Sequence, residues 1–173
     1  MKRGATIAAA WGLLLASCAS VEVPPGEARP LKPEQGWLIL ACDSKRNIDT
    51  ITLCRPRTDE CHSVGPFRGS DELRVLALPA GRWCAYKLVA YSGAVGLVIE
   101  PGGPFLCTTV ASGRSSYPGH IALDYRPTST TAVGFGYGYR QHRARVRRLL
   151  ARDHPAVLVA WPDAPAEEPV YPD

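Results

Sequence analysis

The chain has 173 residues and a formal net charge of +4. This length supports one domain with a real core and leaves no room for a large multidomain assembly. A surplus of four charges over such a chain selects no class of partner by itself.

The amino terminus falls into three zones: a positive start at Lys2 and Arg3, an uncharged and mostly apolar run from Gly4 to Leu15, and small residues Ala16 and Ser17 before Cys18. This is the layout of a secretory signal peptide over residues 1–17, and the apolar run falls well short of the roughly 20 residues a spanning helix needs. Leu15-Ala16-Ser17-Cys18 resembles the lipobox of bacterial lipoproteins. That resemblance implies cleavage before Cys18, a diacylglycerol on its sulfur and acylation of the new amino terminus. Ala19, where an aspartate would retain the protein at the inner membrane, implies sorting to the periplasmic face of a Gram-negative outer membrane. Multiple acyl chains exceed the two signals that stable anchoring requires. The alternative is an ordinary signal peptide with an incidental cysteine. Cleavage would leave 173 − 17 = 156 residues and, without Lys2 and Arg3, a net charge of +2.

Residues 18–36 combine the lipidated cysteine with Pro24, Pro25, Pro30 and Pro33 and show no apolar periodicity, so they read as an extended tether. An edge strand containing prolines is the alternative. Strand patterns follow from residue 37. Trp37–Cys42 is a continuous apolar run, and Asp49–Leu53 alternates. Glu72–Leu78 and Arg82–Tyr91 flank a Pro79-Ala80-Gly81 turn. The second carries Trp83, Ala85 and Val89 on one face and Tyr86 and Leu88 on the other, the pattern of a strand covered on both sides. Val95–Glu100, Phe105–Val110, His120–Tyr125 and Thr130–Tyr139 complete about seven or eight strands. This predicts a mainly β protein, an antiparallel β-sandwich over residues 37–161. One C-terminal helix is expected at 141–153, with Val146, Leu149 and Leu150 as its apolar stripe and Pro155 just beyond. Residues 162–173 read as a disordered acidic tail. LALPAGRWCAY and the later FLCTTVASGRSSYPGHIALDY resemble small prealbumin-like and carboxypeptidase-regulatory-like sandwich domains of bacterial lipoproteins. The resemblance covers about a third of the chain, residues 72–125, and implies a binding or structural module with no catalytic residues to carry over.

Export places the remaining cysteines in an oxidising compartment. With Cys18 lipidated, Cys42, Cys54, Cys61, Cys84 and Cys107 are left, which predicts two disulfides and one thiol. Cys54 and Cys61 bracket a short polar loop and Cys84 and Cys107 lie in neighbouring apolar segments, so these pairings are preferred, with others open. No CxxC spacing and no HExxH pattern occurs, and His62, His120, His142 and His154 are scattered, so no metal and no cofactor is expected.

For nucleophilic catalysis there is no GxSxG elbow. Ser115 and Ser116 precede His120 and Asp124, which share a strand face, so a periplasmic hydrolase with a Ser/His120/Asp124 cluster is the alternative function. An exposed polar strand face is the preferred reading, and the chain is expected not to be an enzyme. In GFGYGY, Gly134 to Tyr139, glycines alternate with rings and do not form a phosphate-binding loop; this predicts packing, with an aromatic ledge for a ligand as the alternative. Arg140, Arg143, Arg145, Arg147, Arg148 and Arg152 place six guanidiniums in a short stretch with no acid between them. Nucleic acid is discounted for an exported protein. The choice lies between a solvated helix partly neutralised by the tail and a surface for an anionic envelope component or envelope protein.

Overall fold

The structure, a computed structural model, describes residues 21–43, 47–69, 72–92, 95–127 and 133–161. Cys18, the signal segment and the acidic tail lie outside the described residues. The protein is mainly β, with two packed sheets and a short helical region at the carboxyl end.

The first sheet is built around β2 (Gln35–Asp43), with β5 (Leu73–Pro79) antiparallel on one side. On its other side β2 meets two pieces of chain in succession, β9 (Ser115–Ser116) and β10 (His120–Pro127), both parallel to it. β1 (Glu22–Val23) extends the sheet beyond β5, and β11 (Val133–Arg140) pairs antiparallel with β10 at the far edge. The second sheet runs β4 (Cys61–Val64), β3 (Asn47–Cys54), β6 (Gly81–Ser92), and then β7 (Val95–Ile99) and β8 (Phe105–Val110) along successive parts of β6. The pairing is thus antiparallel, as expected, except where β2 meets β9 and β10.

β2 shows why its apolar run is continuous. Leu38, Leu40 and Cys42 enter the core between the sheets with Ile48, Ile51, Leu76, Leu78, Trp83 and Leu88. Trp37, Ile39 and Ala41 point the other way, beneath Val146, Leu149, Leu150 and Val157. Those four belong to α1 (Arg143–Asp153) and α2 (Pro155–Val159), which cover the outer face of the first sheet. A strand sandwiched between two layers needs apolar residues at every position. The predicted stripe Val146, Leu149, Leu150 is the buried face of α1. The predicted helix is α1, and Pro155 ends it as expected but also opens a second short helix, α2, at its first position, where a missing N–H costs nothing.

Two further expectations change. Residues 21–36 are not a clear tether: Glu22 and Val23 pair with Leu76 and Val75, Val23 is buried, and the Ala77 N–H donates to the Val21 carbonyl at 2.8 Å. The edge-strand alternative holds there. In β6, strict alternation puts Trp83 and Ala85 on the face opposite Leu88, yet Trp83, Ala85, Leu88 and Ala90 all reach the same core. A bulge explains it. Lys87 faces Thr52 and Ala85 faces Leu53, so Tyr86 has no partner across the ladder and the alternation shifts phase.

Both preferred disulfides form, Cys54–Cys61 and Cys84–Cys107, while Cys42 is a buried free thiol. Cys54 faces Cys61 on β4 and Cys84 on β6, so the two bridges lie in a row across the second sheet.

Candidate functional site

The densest polar cluster sits where the first sheet meets the start of α1. The chain leaves the sheet after β9 and rejoins it at β10, and this three-residue detour, Tyr117-Pro118-Gly119, sets Tyr117 beside His120. Gly119 has φ +134, and a Cβ there would come within 2.9 Å of the Tyr139 Cβ and 3.1 Å of the Arg140 carbonyl, so only glycine fits. The Gln141 Nε2 amide closes the detour by donating to the Pro118 carbonyl at 2.8 Å.

His120 is fully buried, on the helix side of the sheet and opposite the core-facing Ile121. The Tyr117 hydroxyl bonds its Nδ1 at 2.5 Å and also accepts the His142 backbone N–H at 3.3 Å. One proton lies between the hydroxyl and Nδ1, and the tautomer of His120 sets which of the two donates it. Burial pushes the Tyr117 phenol up to about 12, against the opposing hydrogen bonds from His142 and His120, so it stays protonated at neutral pH. The His142 ring stands edge-on to His120, 4.8 Å between centroids, and its Nε2 lies 3.2 Å from Asp43 Oδ2. Arg140 Nη1 lies 3.5 Å from the same oxygen. Burial works to raise the Asp43 pKa, but the hydrogen bonds and charges of His142 and Arg140 outweigh it and hold the carboxyl below its usual range.

This constellation ties β2, the β9–β10 detour, the end of β11 and the helix start together. Sequence reasoning missed Asp43 as a partner, because it lies 99 positions from His142.

The structure does not bring the proposed serines to His120. The Ser115 hydroxyl donates to the Val157 carbonyl at 3.0 Å, and Ser116 Oγ accepts the Ala111 N–H at 3.4 Å. Asp124 pairs with Gly136 in the β10–β11 ladder. The polar face expected to be exposed is instead covered at His120 by the helix layer. Among the described residues no group of three His, Cys, Asp or Glu side chains could hold a metal ion, and no helix is long and apolar enough to cross a membrane.

Tyr137 and Tyr139 of β11 turn toward the second sheet: Tyr137 packs 4.9 Å from Phe105, and the Tyr139 hydroxyl donates to the Leu106 carbonyl at 2.7 Å. At these two rings GFGYGY has the packing role expected of it. The arginines divide by environment. Arg140 belongs to β11, not to the helix, and bridges to Asp43. Arg143 and Arg145 are half-buried, Arg147 and Arg148 exposed. Arg152 makes two 2.6 Å bonds to Asp153. α1 has no acid in its first turn, so Arg143 and Arg145 oppose the helix dipole there. Val146, Leu149 and Leu150 are buried and pack the helix on the sheet.

No family model matches the chain, and no curated protein matches it. Among solved structures it is similar to a leucine-rich repeat protein from Bacteroides thetaiotaomicron, at 10% identity and a TM-score of 0.34. That likeness spans 49% of this chain and 13% of the other.

Proposed function

We propose that the protein is a lipoprotein of the Gram-negative outer membrane, anchored through Cys18, whose β domain is a non-enzymatic module that binds an anionic envelope component or an envelope protein. The observation that carries the binding role is the outer face of α1, where Arg147 and Arg148 stand exposed on a helix whose apolar side is already buried. Exposed guanidiniums held on a packed helix suit phosphate and carboxylate groups. The export reading is supported by the lipobox pattern and fits the two disulfides. A non-catalytic role is supported by Ser115 and Ser116, whose hydroxyls bond the backbone at Val157 and Ala111, and by His120, which is buried against Tyr117.

The test is association with detergent-solubilised envelope fractions before and after R147Q/R148Q. Binding is expected to fall with both substitutions and with added salt, which screens exposed charges. Unchanged binding would remove the helix from the account.

A further inference from the structure

The place where the chain enters the domain determines which part of it faces the anchoring membrane. β1 runs antiparallel to β5, and the Val21 carbonyl accepts from Ala77, two residues short of the end of β5 at Pro79. Pro79 is opposite Gln35, the first residue of β2. Val21 therefore lies next to one rim of the sandwich, and only Ala19 and Ser20 separate it from Cys18. Three residues of fully extended chain reach about 10 Å at most.

That rim is one connected surface. The Ala80 N–H donates to the Glu34 carbonyl at 2.7 Å and the Gly113 N–H to the Gln35 carbonyl at 2.8 Å. The Ser112 hydroxyl bonds the Pro33 carbonyl, and Arg55 Nη2 donates to the Ala80 carbonyl at 3.3 Å. The 31–35 turn, the 55–60 loop, the 79–82 turn and the 111–114 loop are thereby stitched together. Lys32, Arg57, Arg82 and Arg114 are exposed on them, against exposed Glu34 and Asp59. Arg55 is already matched by Glu60 at 3.8 Å.

We propose that this rim is a membrane-docking surface: with Cys18 in the bilayer, Lys32, Arg57, Arg82 and Arg114 meet lipid headgroup phosphates. The proposal rests on the anchor proposed above, and it commits to the membrane because the chain length leaves no room for another macromolecule between anchor and rim. The short link keeps the rim at the headgroups at high effective concentration, and the surplus of two positive charges, four cations against Glu34 and Asp59, gives the contact its electrostatic pull. α1 is turned elsewhere. It starts beside Asp43, at the opposite end of β2, and its last residue, Asp153, accepts the Gly26 N–H at the β1 edge. The arginine helix is then left to a second partner.

The test places a photoreactive benzoylphenylalanine at exposed Ala111 or Asp59 on the rim, or at exposed Ala151 on α1, in the full chain expressed in its own membranes. Lipid adducts and acylation of Cys18 are read together by mass. Adducts at Ala111 and Asp59 are expected to exceed those at Ala151 by about tenfold, and a 20-residue Gly/Ser spacer between Ser20 and Val21 should cut them by a similar factor, since effective concentration falls steeply with linker length. R57E/R82E/R114E should lower the rim yield several-fold, and an unchanged yield overturns the headgroup pairing. An acylated protein whose adducts form mainly at Ala151 overturns the docking surface and leaves the anchor standing. A protein without acyl chains overturns both.

Discussion

Tyr117→Phe is the sharpest probe of the polar cluster, because it removes one oxygen and nothing else. The Tyr117 ring is buried and packs 5.6 Å from Trp161, so phenylalanine keeps the apolar contact. What goes is the bond to His120 Nδ1 and the acceptor for the His142 N–H. Taking the partner from a buried polar atom costs about 1–3 kcal/mol. At roughly 2–4 °C per kcal/mol for a domain of this size, the melting temperature should drop by about 2–12 °C. Urea unfolding followed by tryptophan fluorescence measures the loss, with an unchanged denaturant slope showing that the unfolded state is the same. Tyr137→Phe is the control. Tyr137 is 41% exposed, so its substitution should stay within about 0.5 kcal/mol of the parent. If Tyr117→Phe also stays within that margin, the hydroxyl does not organise the cluster.

Removing the disulfides should cost more for the longer loop, with the logarithm of its length. With separations of 7 and 23 residues, replacing both cysteines by alanine is expected to lose about 2.5 kcal/mol for Cys54–Cys61 and about 3.5 kcal/mol for Cys84–Cys107, measured by chemical denaturation. Equal or reversed losses would contradict the loop-closure account. Cys42 sits in the inter-sheet core, where burial pushes its thiol far up, so it should resist alkylation in the native protein and react as the single thiol once unfolded without reductant. Rapid native labelling would place it elsewhere. His154, at the junction of α1 and α2, has its pKa lowered by burial, partly opposed by Asp153. The unfolded chain therefore binds its proton more readily than the folded one, and stability present above the unfolded value near 6.5 is lost as pH falls below it. His154→Gln should flatten that part of the stability-versus-pH profile, and an unaltered slope would refute the assignment.

Much of the fold was legible because strand patterns in a two-layer core are local. Trp37–Cys42 read as a strand, and α1 revealed its buried stripe at the spacing of a helix. The disulfide pairs were legible from the short loop between Cys54 and Cys61 and from two apolar segments that had to be neighbours. The bulge at Tyr86 was not, since a strand with apolar residues in both phases reads the same whether it is covered on two faces or shifts phase midway. The parallel pairing of β2 with β10 was hidden as well, because parallel neighbours are brought together by long connections that leave no turn signature. The prolines of residues 24–33 masked β1, a two-residue strand held by its edge position and by burial of Val23. The polar cluster is the least legible element. Tyr117 and His120 are near in sequence, but Asp43 reaches them only through the register of β2 with β10 and the turn into α1.

The account turns on Cys18, and the most direct measurement is the intact mass of the protein extracted from its own membranes, before and after reduction. The account predicts a chain beginning at Cys18 and carrying acyl groups, which gains four hydrogens on reduction of its two disulfides. An unacylated mature chain would contradict it, and the anchor, the membrane-facing rim and the envelope role of α1 would fall together.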